Sequence, residues 1–270
     1  MSTPRAIVLT GFGINCEEEM AAAYVLAGAQ ADIVHLNDVF LEKVSIHEYD
    51  ILNFPGGFSF GDDLGSGKVL ANKLQYRRLA SGSLFMDELQ RFLGDGKFVM
   101  GVCNGFQALV KMGLLPNVHG RNEQEVTLTT NNSGKFEDRW VTCRNAGDNR
   151  TPFLQGIDVL DLPVRHGEGK LVLSSEAVRE RILESRLNCL TYVDGGGNPT
   201  DVYPANPNGA ALNCAGLTDP TGQIFGLMPH PEAYLALYNH PDWAGRKRRT
   251  PELGDDGEGL ALFRNVVRAV

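Results

Sequence analysis

The 270-residue chain has no hydrophobic run long enough to cross a membrane or to form the core of a secretion signal; its first apolar stretch, "AIVL" after Arg5, is far too short for either. It has no basic excess, since 25 Lys and Arg face 33 Asp and Glu for a net charge of −8. That balance argues against nucleic acid and anionic membrane as partners and favours small molecules or proteins. Cysteines are few and scattered, at 16, 103, 143, 189 and 214, with no C-x-x-C pair and no Cys/His cluster of zinc-ligand spacing. An odd, dispersed set excludes a disulfide framework and fits the reduced thiols of the cytoplasm. A phosphate loop is excluded too, because Asp62 stands where the first glycine of G-x-x-x-x-G-K-[ST] belongs and Val69 follows Lys68. There is no internal repeat and no low-complexity tract. With 43% hydrophobic and 21% charged residues, the chain has an ordinary folded protein's means of burying a core, as one large domain or two closely fused ones.

The first half alternates strand-like and helix-like segments. "RAIVLT" (5–10), "ADIVHL" (31–36), "DILNF" (50–54) and "KFVMGV" (97–102) read as strands. Between them, 16–28 reads as a helix with Asn15 as N-cap and Gly28 as stop, and 68–93 as helix interrupted by Gly82. Residues 104–113 form a further helix ended by Gly113 and Pro116. Strand and helix at these intervals predict an α/β fold, an open and mostly parallel sheet flanked by helices. In the second half 139–143, 157–164, 188–193 and 222–228 read as strands, the middle ones antiparallel, with helices at 176–185 and 260–269. The polar, turn-rich stretch 240–259, which carries the basic cluster "GRKRR", is expected to be a solvated surface loop.

The segment "GKFVMGVCNGFQALVKMGLLP" (96–116) sets Cys103 between Gly101 and Gly105 at a strand-to-helix junction. G-x-C-x-G is the cysteine counterpart of the nucleophile elbow, in which a strained turn crowds the positions two before and two after the central residue. The thiol then projects over a helix N-terminus, whose dipole and unpaired N–H groups favour thiolate. On the pattern alone, a nucleophile and a small buried hydrophobe are both open.

A cysteine nucleophile requires a base and a group that orients the base. "GLMPHPEA" supplies His230 just past an apolar strand, with Glu232 two residues on; in an extended segment both face one side, so the carboxylate can fix the imidazole tautomer. "FPGGFSFGDDLGSG" (54–67) supplies Gly56 and Gly57 after strand three, where backbone N–H groups can point unobstructed at an oxyanion. Each segment alone has a bland reading, respectively a loop histidine beside a solvated carboxylate and a flexible turn. All three lie just past the carboxyl end of a predicted strand, where open α/β sheets place their sites, and together they point to Cys103, His230 and Glu232 as a catalytic set.

"GVCNGFQ" and "MPHPE" resemble the class I (triad) glutamine amidotransferases. With "PGGFSFGD", "NNSGKFEDRWV", "RHGEGK" and "YPANPNGA", nearly the whole chain resembles the phosphoribosylformylglycinamidine synthase glutaminases within that class. The resemblance implies a single flavodoxin-like amidotransferase domain over 1–270, with an added antiparallel region in the second half. It implies Cys103 as nucleophile, His230 as general base and acid, and Glu232 as its orienting carboxylate. Gly57 and the Asn104 N–H would form the oxyanion hole beside Gly56, Gln107 would contact glutamine, and His166 and Glu168 would bind it or shape its pocket. The implied function is a cytoplasmic glutaminase of purine biosynthesis that passes ammonia to a synthetase subunit, with or without a small third subunit. No cofactor or metal is implied in this chain, while ATP and Mg2+ belong to the synthetase. A chain that opens on Met1 and closes on a helix is expected to be a separate gene product.

Two positions depart from the family pattern. Ala233 follows Pro-Glu where the family commonly has Arg, and "TGFGINCEEE" replaces a segment usually written P-G-S-N-C-D. Cys16 in that segment has no predicted base nearby and is expected to be structural, and Cys143, Cys189 and Cys214 read as core residues. The competing readings are a glutaminase serving another amidotransferase and a non-catalytic binding protein built on the same elbow.

Overall fold

The structure, a computed structural model, describes residues 3–146 and 150–270, so Met1 lies outside it. In chain order the strands are β1 (Arg5–Thr10), β2 (Gln30–His35), β3 (Ile51–Phe54), β4 (Phe98–Val102), β5 (Val126–Thr129), β6 (Glu137–Asn145), β7 (Val159–His166), β8 (Lys170–Leu173), β9 (Leu190–Tyr192), β10 (Cys214–Thr218) and β11 (Ile224–Leu227). The helices are α1 (Glu17–Leu26), α2 (Leu36–Phe40), α3 (Lys68–Tyr76), α4 (Phe85–Gly94), α5 (Asn104–Lys111), α6 (Glu176–Glu184), α7 (Trp243–Arg249) and α8 (Leu260–Ala269).

Nine strands form one sheet in the order β2-β1-β3-β4-β11-β10-β9-β6-β7. The neighbours from β2 through β11 pair in parallel, and from β11 onward every pairing is antiparallel. The parallel strands are covered on both faces, so β1 and β4 carry continuous apolar runs rather than alternating ones, and β3 is interrupted only by the buried Asn53; Ala6 to Leu9 are fully buried. The antiparallel pair β5 and β8 stands as a small separate sheet. This is the mostly parallel α/β architecture, with an antiparallel second half, that the segment order predicts. No helix among the described residues is long and apolar enough to cross a membrane.

Three expectations change. The N-cap position of α1 is Cys16 and not Asn15, because the Asn15 and Cys16 N–H groups both donate to the Gly56 carbonyl and start the helix one residue later. The stretch 240–259 is not simply a loop, since its basic cluster forms α7. Arg246 reaches Asp161 on β7, which fastens the segment to the sheet, while the pairs of Arg246 with Glu258, Lys247 with Asp255 and Arg249 with Asp242 brace the segment internally. The short elements β5, β8, β10 and α2 are additional to those expected.

Candidate active site

β4 delivers Cys103 to the carboxyl edge of the sheet, at the N-cap position of α5, with φ 51° and ψ −104°. A positive φ in a residue with a Cβ costs about 1–3 kcal/mol and persists only where the surroundings over-determine it. Here the Cys103 N–H donates to the Leu227 carbonyl of β11 at 2.8 Å, and its carbonyl accepts from Gln107 N–H at 2.9 Å. The flanking glycines are steric necessities. A Cβ on Gly105 would lie 1.8 Å from the Phe54 carbonyl oxygen of β3, and one on Gly101 would lie 2.9 Å from the Gly105 carbonyl carbon. The elbow therefore packs its helix directly onto the neighbouring strand, and the thiol itself is nearly buried.

His230 follows β11, the strand beside β4, and its N–H donates to the Pro163 carbonyl at 2.8 Å. Its Nδ1 lies 2.5 Å from Oε1 of Glu232. The expected extended geometry is replaced by a 3-10 turn over Pro231–Ala233, and it is this turn that swings the carboxylate back onto the ring. Nε2 of His230 is buried with no hydrogen-bond partner among the described residues. Burial works against a charged imidazole, but the Glu232 carboxylate and the Cys103 thiolate outweigh it and hold His230 well above the ordinary histidine range. The site thus favours an imidazolium beside the Cys103 sulfur.

Cys103 and His230 line one cavity of about 280 Å³ with Gly57, Phe58, Phe136 and Arg165. Gly56 abuts the imidazole so closely that a Cβ would lie 2.7 Å from Cε1, and Gly57, at φ 144°, has no room for one against Gly13 and Asn15. Asn104 is the first residue of α5, where a helix leaves its N–H without an intrahelical partner.

The side chains expected to contact substrate build a polar clasp. Asn104 Oδ1 accepts from Ser59 N–H at 3.1 Å, and its Nδ2 donates to Asp62 and to Gln107, both at 3.0 Å. Gln107 Nε2 donates to the Glu168 carbonyl at 2.5 Å, and the Glu168 carboxylate accepts from Ser66 N–H at 3.3 Å. These bonds fasten the glycine-rich segment and the β7–β8 turn to α5. Burial raises the pKa of Asp62 within the clasp, against the hydrogen bonds from Ser66 and Asn104.

His166 is turned into the protein, where its Nδ1 lies 3.1 Å from Asn131 Oδ1; burial, reinforced by the charge of His230, lowers its pKa to about 3. Its chain neighbour Arg165 is the residue that lines the cavity, and the Arg165 carbonyl accepts from the Cys103 thiol at 3.6 Å. The pattern of β7 held the signal. Leu162, Val164 and His166 share the buried side and Arg165 takes the other. Cys16 also departs from expectation, since a base is close by: its sulfur lies within 4.8 Å of ligand atoms of both His230 and Glu232. The remaining cysteines, Cys143, Cys189 and Cys214, are buried in or beside strands of the sheet.

Residues 3–270 match the CobB/CobQ-like glutamine amidotransferase domain. The chain is 42% identical to a phosphoribosylformylglycinamidine synthase subunit PurQ from Dehalococcoides mccartyi, covering 99% of this chain and 98% of that one. It is 40% identical to the PurQ subunit from Methanococcus maripaludis, covering 98% and 96%. It also resembles a chain in the solved structure of PurLQS from Thermotoga maritima, with a TM-score of 0.70 and 27% identity over 99% of each chain. With the elbow, the neighbouring histidine and carboxylate and matches that run the length of the sequence, the chain belongs to the CobB/CobQ-like glutamine amidotransferase family.

Proposed function

We infer that this chain is the glutaminase component of phosphoribosylformylglycinamidine synthase, acting as a single unit over residues 1–270. The observation that carries the chemistry is the strained Cys103 elbow sharing a cavity with His230, whose Nδ1 is held 2.5 Å from Glu232. The full-length likeness to PurQ subunits supports the choice of acceptor over other amidotransferases, and an intact triad argues against a non-catalytic relative.

In this reading the Cys103 thiolate attacks the side-chain amide carbon of glutamine. The developing oxyanion is met by the N–H groups of Gly57 and Asn104, fixed before reaction so that little reorganisation is needed. His230 gives its proton to the departing nitrogen, ammonia leaves, and a glutamyl thioester remains on Cys103. The neutral imidazole then takes a proton from water, which releases glutamate and restores the imidazolium and thiolate. Gln107 and Glu168 shape the glutamine pocket through the clasp, and His166 supports it from beneath. ATP and Mg2+ act on a synthetase subunit, where ammonia converts formylglycinamide ribonucleotide to the amidine, and the setting is the cytoplasm.

Phe58, Leu64 and Phe136 are 46%, 88% and 52% exposed, and two of them line the Cys103 cavity. Exposed apolar side chains such as Phe58 and Phe136, paired at the edge of the site, suit coverage by a protein partner. Docking of the synthetase there would exclude water and bring the 55–67 segment to its working position. Glutamine turnover by the chain with and without the synthetase subunits tests this reading: ammonia release that depends on Cys103 and rises with the partner supports it, and none in the full complex refutes it.

A further inference from the structure

The cluster beside the proposed triad contains a thiol that thioester chemistry does not use. Cys16, His230 and Glu232 each present one ligand atom, and the three atoms lie within 4.8 Å of one another. His230 and Glu232 are 2% and 3% exposed, and Nε2 of one and Oε2 of the other are buried with no hydrogen-bond partner among the described residues. Unpartnered buried polar atoms are rare and call for a ligand or a chemical role. Catalysis gives His230 Nε2 such a role but leaves Glu232 Oε2 without one, and the half-buried Cys16 sulfur, which donates to Asn15 Oδ1 at 3.4 Å, takes no part in it.

We propose that Cys16, His230 and Glu232 form a binding site for a thiophilic divalent cation of the zinc type, and that occupation arrests the glutaminase by removing His230 from proton transfer. The arrest rests on the glutaminase reading above; the binding does not.

Thiolate, imidazole and carboxylate are zinc ligands, and three protein ligands leave a fourth position for water. Ligand atoms held about 2.0–2.3 Å from a tetrahedral ion lie about 3.3–3.8 Å apart. Separations of up to 4.8 Å therefore close to bonding range with a shift of roughly 1 Å, within reach of side-chain rotation. The short contact between His230 and Glu232 opens in exchange, as the ion replaces the proton they share.

Access need not pass through the glutamine pocket. A second cavity, of about 410 Å³, is lined by Cys16, Glu232, Ala233 and Tyr238, and it meets the Cys103 cavity along Cys16, Glu19 and Arg165. The opposite charges of Glu19 and Arg165 face both spaces. A sulfur ligand also separates ions by type: Mg2+ demands an octahedral oxygen shell and is not held, whereas zinc, cadmium and cobalt are. A glutaminase working beside a Mg2+-dependent synthetase needs that distinction. No zinc motif is visible along the chain because Cys16 and His230 meet only through the fold.

Cobalt(II) is the direct probe, because thiolate ligation produces charge-transfer absorption in the near ultraviolet. The intact chain, Cys16→Ser, Cys16→Ala and Cys103→Ser are each titrated with Co2+, with circular dichroism confirming that each is folded. The expected result is one equivalent bound in the intact chain and in Cys103→Ser, displacement by Zn2+ and not by Mg2+, and loss of the band in both Cys16 variants. No band in the intact chain, a band that survives in a folded Cys16 variant, or one lost with Cys103→Ser would overturn the site. In a separate arm, Zn2+ is added to the glutaminase assay of the complex and then chelated. Reversible inhibition whose midpoint rises at least tenfold in Cys16→Ser supports the arrest, and inhibition indifferent to Cys16 overturns it. Cobalt binding through Cys16 in a chain without glutaminase activity would keep the site and refute the functional reading, while an active chain without the band would do the reverse.

Discussion

Nδ1 of His230 lies 2.5 Å from Oε1 of Glu232, with both side chains almost fully buried. The carboxylate is the main reason a buried imidazole keeps its proton here. Glu232→Gln preserves the shape and removes the charge, so the His230 pKa should fall and glutaminase kcat should drop about 10⁴-fold, in line with other triads that lose the orienting carboxylate. The pH–rate profile of the complex checks this. A kcat loss without any change in the pH dependence would mean that Glu232 acts through packing alone.

Gly105→Ala should destabilise the fold by about 3 kcal/mol or more, at or beyond the upper end of the usual cost of overpacking, because the new Cβ falls 1.8 Å from the Phe54 carbonyl oxygen, which belongs to the backbone of the central sheet. The midpoint of urea unfolding reads the effect. Gly28→Ala is the comparison: nothing lies within 4 Å of the added Cβ, so only the smaller strain of a side chain at φ 95° applies.

Much of this could be read before the structure. The apolar run 97–102 and the glycines around Cys103 announce strand, elbow and helix, because sterics at an elbow and apolar burial in a parallel strand both leave marks in the local sequence. His230 and Glu232 were legible for the same reason, although the 3-10 turn that joins them was not. What stayed hidden depends on distant packing. Cys16 comes to His230 because the 13–16 loop folds against Gly56 and Gly57, a contact with no local signature. The basic run of α7 looked solvated because its partner on the sheet, Asp161, lies 85 residues from Arg246, and β5 and β8 are four-residue strands too short to show a period.

Arg246 joins α7 to β7 and to Glu258 from a half-buried position. Arg246→Ala should lower stability by about 1–2 kcal/mol, between the values for exposed and buried pairs, with the loss shrinking at high salt. Thermal unfolding at low and high ionic strength measures it, and proteolysis should become faster within 240–259. An unchanged midpoint at low salt would show that these ion pairs do not hold the segment.

The His166 pKa falls to about 3 in the folded protein, below the ordinary histidine value of 6.5. The unfolded chain therefore binds more protons between these values, so this contribution is complete above pH 6.5 and is lost as pH falls toward 3. Its slope is at most about 1.4 kcal/mol per pH unit. Urea unfolding of the intact chain and of His166→Gln from pH 6.5 to 5 isolates it from His240, which burial also lowers. His230, held above the ordinary range, adds an opposite slope near pH 6.5 that fades toward pH 5, and it is common to both proteins so the comparison removes it. Equal slopes in the two proteins would contradict the assignment.

The central claim, that Cys103 is the glutaminase nucleophile, is tested most directly by reacting the chain, alone and with its synthetase subunits, with a diazo-ketone analogue of glutamine and mapping the adduct by mass spectrometry. The account predicts one adduct, on Cys103, blocked by excess glutamine and absent in His230→Ala. An adduct on Cys16 instead, or labelling of Cys103 that glutamine does not block even in the complex, would contradict it.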